Sequence, residues 1–333
     1  MDRISNHLGL FSEQYDPVYK EITGNIPQAF SHIGYATTVL EYLDSRQTRP
    51  EPLSLSVKQK LRLFLQPRRL NPETRKKPPA ALQDPVGEVK RVMNNLRGRF
   101  YDGHSQKIDY PLIACTKYYR HFQAVASALE NANPADLEAD EEKKAFWINI
   151  FNTLVIHGVI ALGIKTSVKE VPFFFDRVQY RVGADLYTLS DIEHGILRQN
   201  RRPPARLCKR FSPSDPRRKF CVKAIDPRIH FALVCASRTC PPVEAYDGHV
   251  IDEQLDTAAS VFINGTSRVE QSQNRLFLSE IFKWYQKDFQ QGSQRVIPFV
   301  ANYLYDEQNA RWLLKNEPVI DIQYLPYDWR LNR

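Results

Sequence analysis

The stretch Arg228-Ile229-His230-Phe231-Ala232-Leu233-Val234-Cys235-Ala236-Ser237-Arg238-Thr239-Cys240-Pro241-Pro242 decides how the rest of the chain is read. Residues 229–235 are mostly apolar and β-branched or aromatic. Asp226-Pro227 precedes them and Pro241-Pro242 closes the segment, so the run predicts a buried strand. It ends on one cysteine, turns through a short polar link, and meets a second cysteine against two prolines. In a regular strand Ile229, Phe231, Leu233 and Cys235 share one face, and His230, Ala232 and Val234 the other. On that reading His230 is not the natural base for Cys235 unless the strand bends.

The chain of 333 residues has room for one large domain or two. Apolar residues make up 42%, with 18 Phe, 16 Tyr and 4 Trp. That is ample for a core and excludes wholesale disorder. The net charge of +8 suits contact with phosphates or acidic surfaces. Much of it lies in two proline-bearing basic runs, 66–77 and 199–219, which read as exposed arms able to touch an anionic partner. The N-terminus shows no apolar leader, and five cysteines are an odd number. These features predict a cytoplasmic setting with free thiols and no transmembrane segment.

The segment 141–162, EEKKAFWINIFNTLVIHGVIAL, is apolar nearly all round after its charged start, as a helix at the centre of a core must be. Its polar exceptions are ordered. Asn149, Thr153 and His157 recur every four residues and Asn152 is an i+3 neighbour, so they share a face. A buried amide or imidazole costs about 1–3 kcal/mol unless hydrogen-bonded. The stripe must therefore meet polar groups, either as an internal network or as the wall of a site.

Elsewhere, 2–47 reads as helical, with 36–43 and 56–65 as amphipathic helices. A proline-rich linker follows at 66–85, then helices at 88–100 and 109–129, with Cys115 in the apolar pattern of the latter. A hairpin is predicted at 172–189, turning at Gly183-Ala184-Asp185. Ser190 and Glu193 have the spacing of a capping box for a helix carrying His194. The C-terminal third alternates helices with a short strand near 274–278 and an extended segment at 319–329. The predicted fold is α+β, with a mixed or antiparallel sheet packed on the buried 141–162 helix. The main domain is 106–333, preceded by a helical N-terminal extension at 1–105.

No glycine-rich phosphate loop, G-x-S-x-G, HExxH or EF-hand pattern occurs, which argues against nucleotide and serine-hydrolase readings. The C-x4-C spacing of Cys235 and Cys240 is not the usual zinc pair, and no metal or cofactor is expected. A thiol nucleophile needs a base and a group to orient that base. The candidates are Cys235 as nucleophile, His157 or His230 as base, with His194 also in play. Asn149, Asn152, Glu193 and Asp328 are available for orientation or for stabilising an oxyanion.

Four ordered blocks, AFWINIFN at 145–152, IEHGILR at 192–198, HFALVCAS at 230–237 and YLPYDW at 324–329, resemble the DUF547 family. The resemblance covers roughly residues 108–331. Asn149, Asn152 and His157 match the family's A-F-W-I-N-x-Y-N-A-L-x-x-H pattern, while Phe151 and Thr153 depart from it. Cys235 also matches. The position of Cys240 is serine in plant members, which the resemblance implies makes Cys235 the more general residue. The family carries no assigned mechanism. Two functional expectations follow. One is a thiol-dependent hydrolase or acyl transferase with papain- or transglutaminase-like chemistry on a peptide or amide bond of a protein or peptide substrate. The alternative is a non-catalytic scaffold domain that binds proteins or anionic surfaces.

Overall fold

The centre of the molecule is the helix Asp140–Ala161. Asp140, Glu141 and Glu142 occupy its first turn, where carboxylates suit the positive end of the helix dipole. From Lys144 to Val159 every residue is buried. It is long and apolar enough to cross a membrane, but 89% of its apolar window lies inside the protein, as expected of a core helix.

The structure is a computed structural model that describes residues 14–16, 21–23, 66–71, 84–204, 206–290 and 295–333. The chain divides into two units, one of residues 1–51 with 114–117, the other of 52–113 with 118–333. In the first, Gln14–Asp16 pairs antiparallel with Glu21–Thr23. Strands thus stand where a helix was expected; Pro17 follows Asp16 and cannot continue a helix ladder in that direction. The expected helices at 36–43 and 56–65, and residues 72–77 of the first basic run, lie outside the described residues.

The second unit is α+β. One sheet orders Arg68–Arg69, Val178–Val182 and Asp185–Thr188, the first pair parallel and the second antiparallel. Val178, Tyr180 and Val182 point inward onto the central helix while Gln179 and Arg181 stand at the edge of burial. The hairpin turns at Gly183, whose φ of +59° is left-handed; a Cβ there would lie 2.7 Å from the Ala132 carbonyl oxygen, so only glycine fits. A second mixed sheet joins Asp321–Leu325 parallel to Arg275–Ser279, which pairs antiparallel with Arg268–Glu270. The helices Ile251–Thr266 and Val296–Tyr303 supply Ala259, Phe262, Ile263, Ile297 and Val300 to the core beside this sheet.

The helix Pro85–Phe100 begins with proline at its first position and an Asp84 side chain accepting from Gly87 N–H, a start that proline and an N-cap acid favour together. It puts Val89, Val92, Met93 and Leu96 into the same core as the central helix. The core therefore reaches ahead of residue 106, where the sequence placed its boundary. The helix expected over 109–129 is two, Tyr110–Ala114 and Lys117–Ala128, and Cys115 between them is only half-buried.

The largest departure is the stretch that organised the sequence reading. Pro227–Phe231 is a 3-10 turn, capped by the Asp226 carboxylate accepting from Arg228 N–H. Residues 232–236 are irregular, and the next residue, Ser237, forms an isolated antiparallel bridge with Leu331. With no strand, the alternation that separated His230 from Cys235 does not apply.

Candidate active site

Two amides of the central helix fix the path of the cysteine loop. Asn152 donates from Nδ2 to Ala232 O (3.0 Å) and accepts Val234 N–H on Oδ1 (2.9 Å). Asn149 does the same to Tyr246, donating to its carbonyl (2.8 Å) and accepting its N–H (2.9 Å). The segment holding Cys235 and Cys240 is thus clamped at both ends by side chains three residues apart on one helix. Both amides spend their main donor and acceptor on backbone, so they position the loop rather than face a substrate.

Between the clamps, Ala236 has φ +61°. A left-handed alanine costs about 1 kcal/mol and persists only where its surroundings over-determine it. Here Asn332 N–H donates to Ala236 O (3.1 Å) and Arg238 N–H to Arg330 O (2.8 Å), so segment 330–332 braces the reversal. The Cys235 sulfur meets three hydrogen-bonding partners, Ser237 Oγ at 3.0 Å, Tyr327 Oη at 3.1 Å and Cys240 Sγ at 3.4 Å, while Ser237 Oγ also donates to Tyr327 Oη at 3.1 Å. The hydrogen bond from Cys240, followed by those from Ser237 and Tyr327, outweighs burial and brings the thiol down to about 7. Burial and the neighbouring Cys235 push Cys240 well up. Of two adjacent thiols, one is poised to ionise near neutrality and the other is kept protonated.

Cys235 lies on a cleft of about 450 Å³ lined by Phe151, Glu193, His194, His230, Trp284 and Tyr285 among others, with Arg206 and Arg210 also on its lining. Trp284, Tyr327 and Trp329 pack on one another with centroids 4.9 to 5.7 Å apart, a rigid aromatic wall.

The cleft also carries a buried polar network. Asp191–Leu197 is a π-helix. Its expected Ser190–Glu193 capping box is absent. Thr188 and Asp191 form the reciprocal pair instead, each side chain accepting the other's N–H at 3.1 Å. Glu193 is thereby free to accept from Tyr285 Oη at 2.5 Å; burial raises its carboxyl above the usual range. The next residue, His194, accepts from Arg198 Nη1 at Nδ1 (2.8 Å), which leaves its proton on Nε2. Arg198 continues to Asp288, with contacts of 2.5 and 3.1 Å. Asp288 is wholly buried and also takes Arg201 (2.8 Å) and His230 Nε2 (2.8 Å). These partners hold the Asp288 carboxyl well below the usual range despite burial. Since that carboxylate accepts, His230 carries its proton on Nε2 and its Nδ1 is an acceptor. The ring stacks on Tyr285 at 3.8 Å, and burial keeps His230 and His194 neutral by lowering both.

The structure thus brings Cys235, His230, Glu193 and His194 to one cleft. His157 is elsewhere. Its Nδ1 meets Tyr180 Oη at 2.7 Å among Tyr119 and Phe122, and burial lowers it to about 3. The stripe on the central helix therefore serves three places rather than one site, and Thr153 Oγ1 is buried without a partner. Among the described residues no histidine is a hydrogen-bond partner of Cys235, and hydroxyl and thiol partners stand in place of the expected thiol–imidazole pair. Asp328 is ion-paired with Arg330 at 2.6 Å. In the 199–219 run Arg201, Arg206, Arg210 and Arg217 pair with Asp288, Asp176, Asp191 and Asp215, while Arg202, Arg206, Lys209, Arg218 and Lys219 remain exposed. Among the described residues no group of three or more His, Cys, Asp or Glu side chains could hold a metal ion.

Asp288, Tyr285 and Tyr327 were not singled out from sequence. Tyr285 and Asp288 share one turn and Tyr327 belongs to the C-terminal segment; each lies 58 to 92 residues from its partner, and no local motif marks it. The only available signal was the aromatic density of 281–289 and the YLPYDW block.

A family model described as "Protein of unknown function, DUF547" matches residues 134–263. The blocks at 192–198 and 230–237 fall within the match; Asp288 and Tyr327 lie beyond it. No curated protein and no solved structure matches the chain.

Proposed function

We propose that the cleft, part of which is built by the residues 134–263 that match the DUF547 model, is the active site of a thiol-dependent hydrolase or acyl transferase acting on a peptide or amide bond. The observation that carries the reading is the Cys235 thiol, brought to about 7 by its hydrogen-bonding partners on the same cleft as a histidine oriented by a buried carboxylate. A thiolate populated near neutrality needs no base to create it, which removes the demand for a direct histidine contact. The thiolate attacks the carbonyl carbon and forms a C–S bond, the C–N bond breaks, and the amine leaves with a proton taken from solvent water. Water or a second amine then attacks the thioester and returns the thiol. His230, neutral and held by Asp288 through Nε2–H, takes the proton of that second nucleophile at Nδ1. His194 offers an Nε2–H donor for the developing oxyanion. The volume of the cleft, about 450 Å³, falls in the range of small-ligand sites, and its aromatic lining suits an apolar acyl group.

The test is activity-based labelling. A peptide vinyl sulfone should modify Cys235 in preference to the exposed Cys208, and a fluorogenic amide library should yield a thioester on Cys235 visible by intact mass. Cys235→Ala should abolish both and His230→Ala should slow release of the acyl group. Equal labelling of Cys208 and Cys235, with no acyl adduct from any amide or ester offered, would remove the proposal.

A further inference from the structure

Cys240 lies behind Cys235. The chain reverses between them, Cys240 N–H donating to Ser237 O at 3.1 Å. Cys235 N–H points at Cys240 Sγ at 2.7 Å, and the two sulfurs are 3.4 Å apart. A disulfide needs about 2.05 Å, so closure asks for about 1.4 Å of travel. The pair is also asymmetric in access, Cys235 being partly open and Cys240 buried. Cys221 has no comparable partner; its Sγ is turned to Gly195 O at 3.1 Å.

We infer that Cys235 and Cys240 form a reversible two-electron dithiol–disulfide couple, oxidised by a small hydroperoxide and restored by an external thiol. Cys235 is the thiol that meets the oxidant and Cys240 the one that resolves it. The Cys235 thiolate attacks one peroxide oxygen, the O–O bond breaks, and the alkoxide or hydroxide leaves and takes a proton from water. Cys235 is then a sulfenic acid. Cys240 attacks that sulfur, the S–O bond breaks, and the departing hydroxide leaves as water with the Cys240 proton. Two equivalents of external thiol return both cysteines and leave as a disulfide. The depressed Cys235 and raised Cys240 fit this order, since the accessible thiolate reacts first and the protected thiol survives to close the bond. Ser237 and Tyr327 hydroxyls beside Cys235 can hydrogen-bond the second peroxide oxygen. The couple is independent of acyl transfer: it is read on the sulfurs, and stands whether or not an amide substrate exists.

The experiment uses the reduced full-length chain, one equivalent of hydrogen peroxide, then iodoacetamide and tryptic mapping. Arg238 lies between the cysteines, so a closed bond joins peptides 229–238 and 239–268. The expected product is that linked pair, lighter by two hydrogens than the dithiol and absent after dithiothreitol. Cys240→Ser should stop at a sulfenic acid on Cys235 that dimedone captures. Should that variant not fold, the wild-type map alone decides. The inference is overturned if Cys235 proceeds to sulfinic acid while Cys240 remains fully alkylated, or if both stay reduced while Cys208 is oxidised.

Discussion

Tyr327→Phe removes one hydroxyl from the Cys235 thiol and the acceptor of the Ser237 hydroxyl. The ring stays packed between Trp284 and Trp329, at 5.0 and 4.9 Å, and the backbone N–H of residue 327 keeps its contact with Glu280. A hydrogen bond to a charged group is worth about 1.5–3 kcal/mol, or about 1–2 pH units on the thiol at about 1.4 kcal/mol per unit. Cys240 remains as a donor and Ser237, released from Tyr327, can donate as well, so the lower end applies and the midpoint moves up by about one unit. At pH 7 the thiolate share then falls from about half to about one-tenth, a loss of about fivefold in alkylation rate. The assay is the second-order rate of iodoacetamide at Cys235, followed by peptide mapping across pH, with thermal unfolding as the check that the fold is intact. In the wild type the rate should rise through about pH 7 and level off above it. If the midpoint of Tyr327→Phe coincides with that of the wild type, the hydroxyl does not hold the thiolate and the account of the site is wrong.

Three further outcomes are expected. Asn152→Ala orphans Ala232 O and Val234 N–H inside the core and should cost about 2–4 kcal/mol by urea unfolding, with Cys235 slower to alkylate because its loop is loosened; a loss under about 0.5 kcal/mol would contradict the clamp. Asp288→Asn leaves Arg198 and Arg201 without their shared carboxylate and should cost about 3–5 kcal/mol. The wild-type contribution of Asp288 is present above the unfolded carboxylate range and is lost only as pH falls through its lower folded value, so a variant with unchanged stability at pH 7 would rule out the pair. His157, His194 and His230 are neutral when folded and protonate first in the unfolded chain. Below about pH 6.5 His157 should therefore subtract about 1.4 kcal/mol of stability per pH unit down to about pH 3, and His194 and His230 act in the same direction. His157→Phe combined with Tyr180→Phe should flatten that slope by one proton while leaving Cys235 alkylation unchanged. An unaltered slope by urea titration at several pH values would show that His157 is already protonated.

What could be read from sequence follows the range of the forces involved. The central helix was legible because its burial is written in consecutive residues, and the hairpin at 178–188 because alternation and a glycine turn are local. Asn149 and Asn152 were legible as groups needing partners, but not which backbone they clamp. The 229–235 run misled because a short apolar stretch looks alike in a strand and in a buried turn. Asp226-Pro227 was in fact the pertinent signal, since an acid before proline starts a helical turn as readily as it bounds a strand. His157 looked functional because it repeats with the asparagines; only the position of Tyr180 across the core shows its partner. The Asp288–His230 pair had no local trace, being a contact between an unremarkable aspartate and a residue 58 positions away.

The bracing of Ala236 by segment 330–332, and the Tyr327 hydroxyl 92 residues beyond Cys235, set an order of events during synthesis. Cys235 leaves the ribosome long before the residues that activate it. Until residues 327–332 dock, the thiol lacks its tyrosine donor and its loop lacks its brace, so a nascent chain carries an ordinary, weakly reactive cysteine. Reactivity then arrives with completion of the fold, as a built-in report that this part of the polypeptide has closed. Chains stalled before Tyr327 should be poor targets for the electrophiles that mark the finished protein.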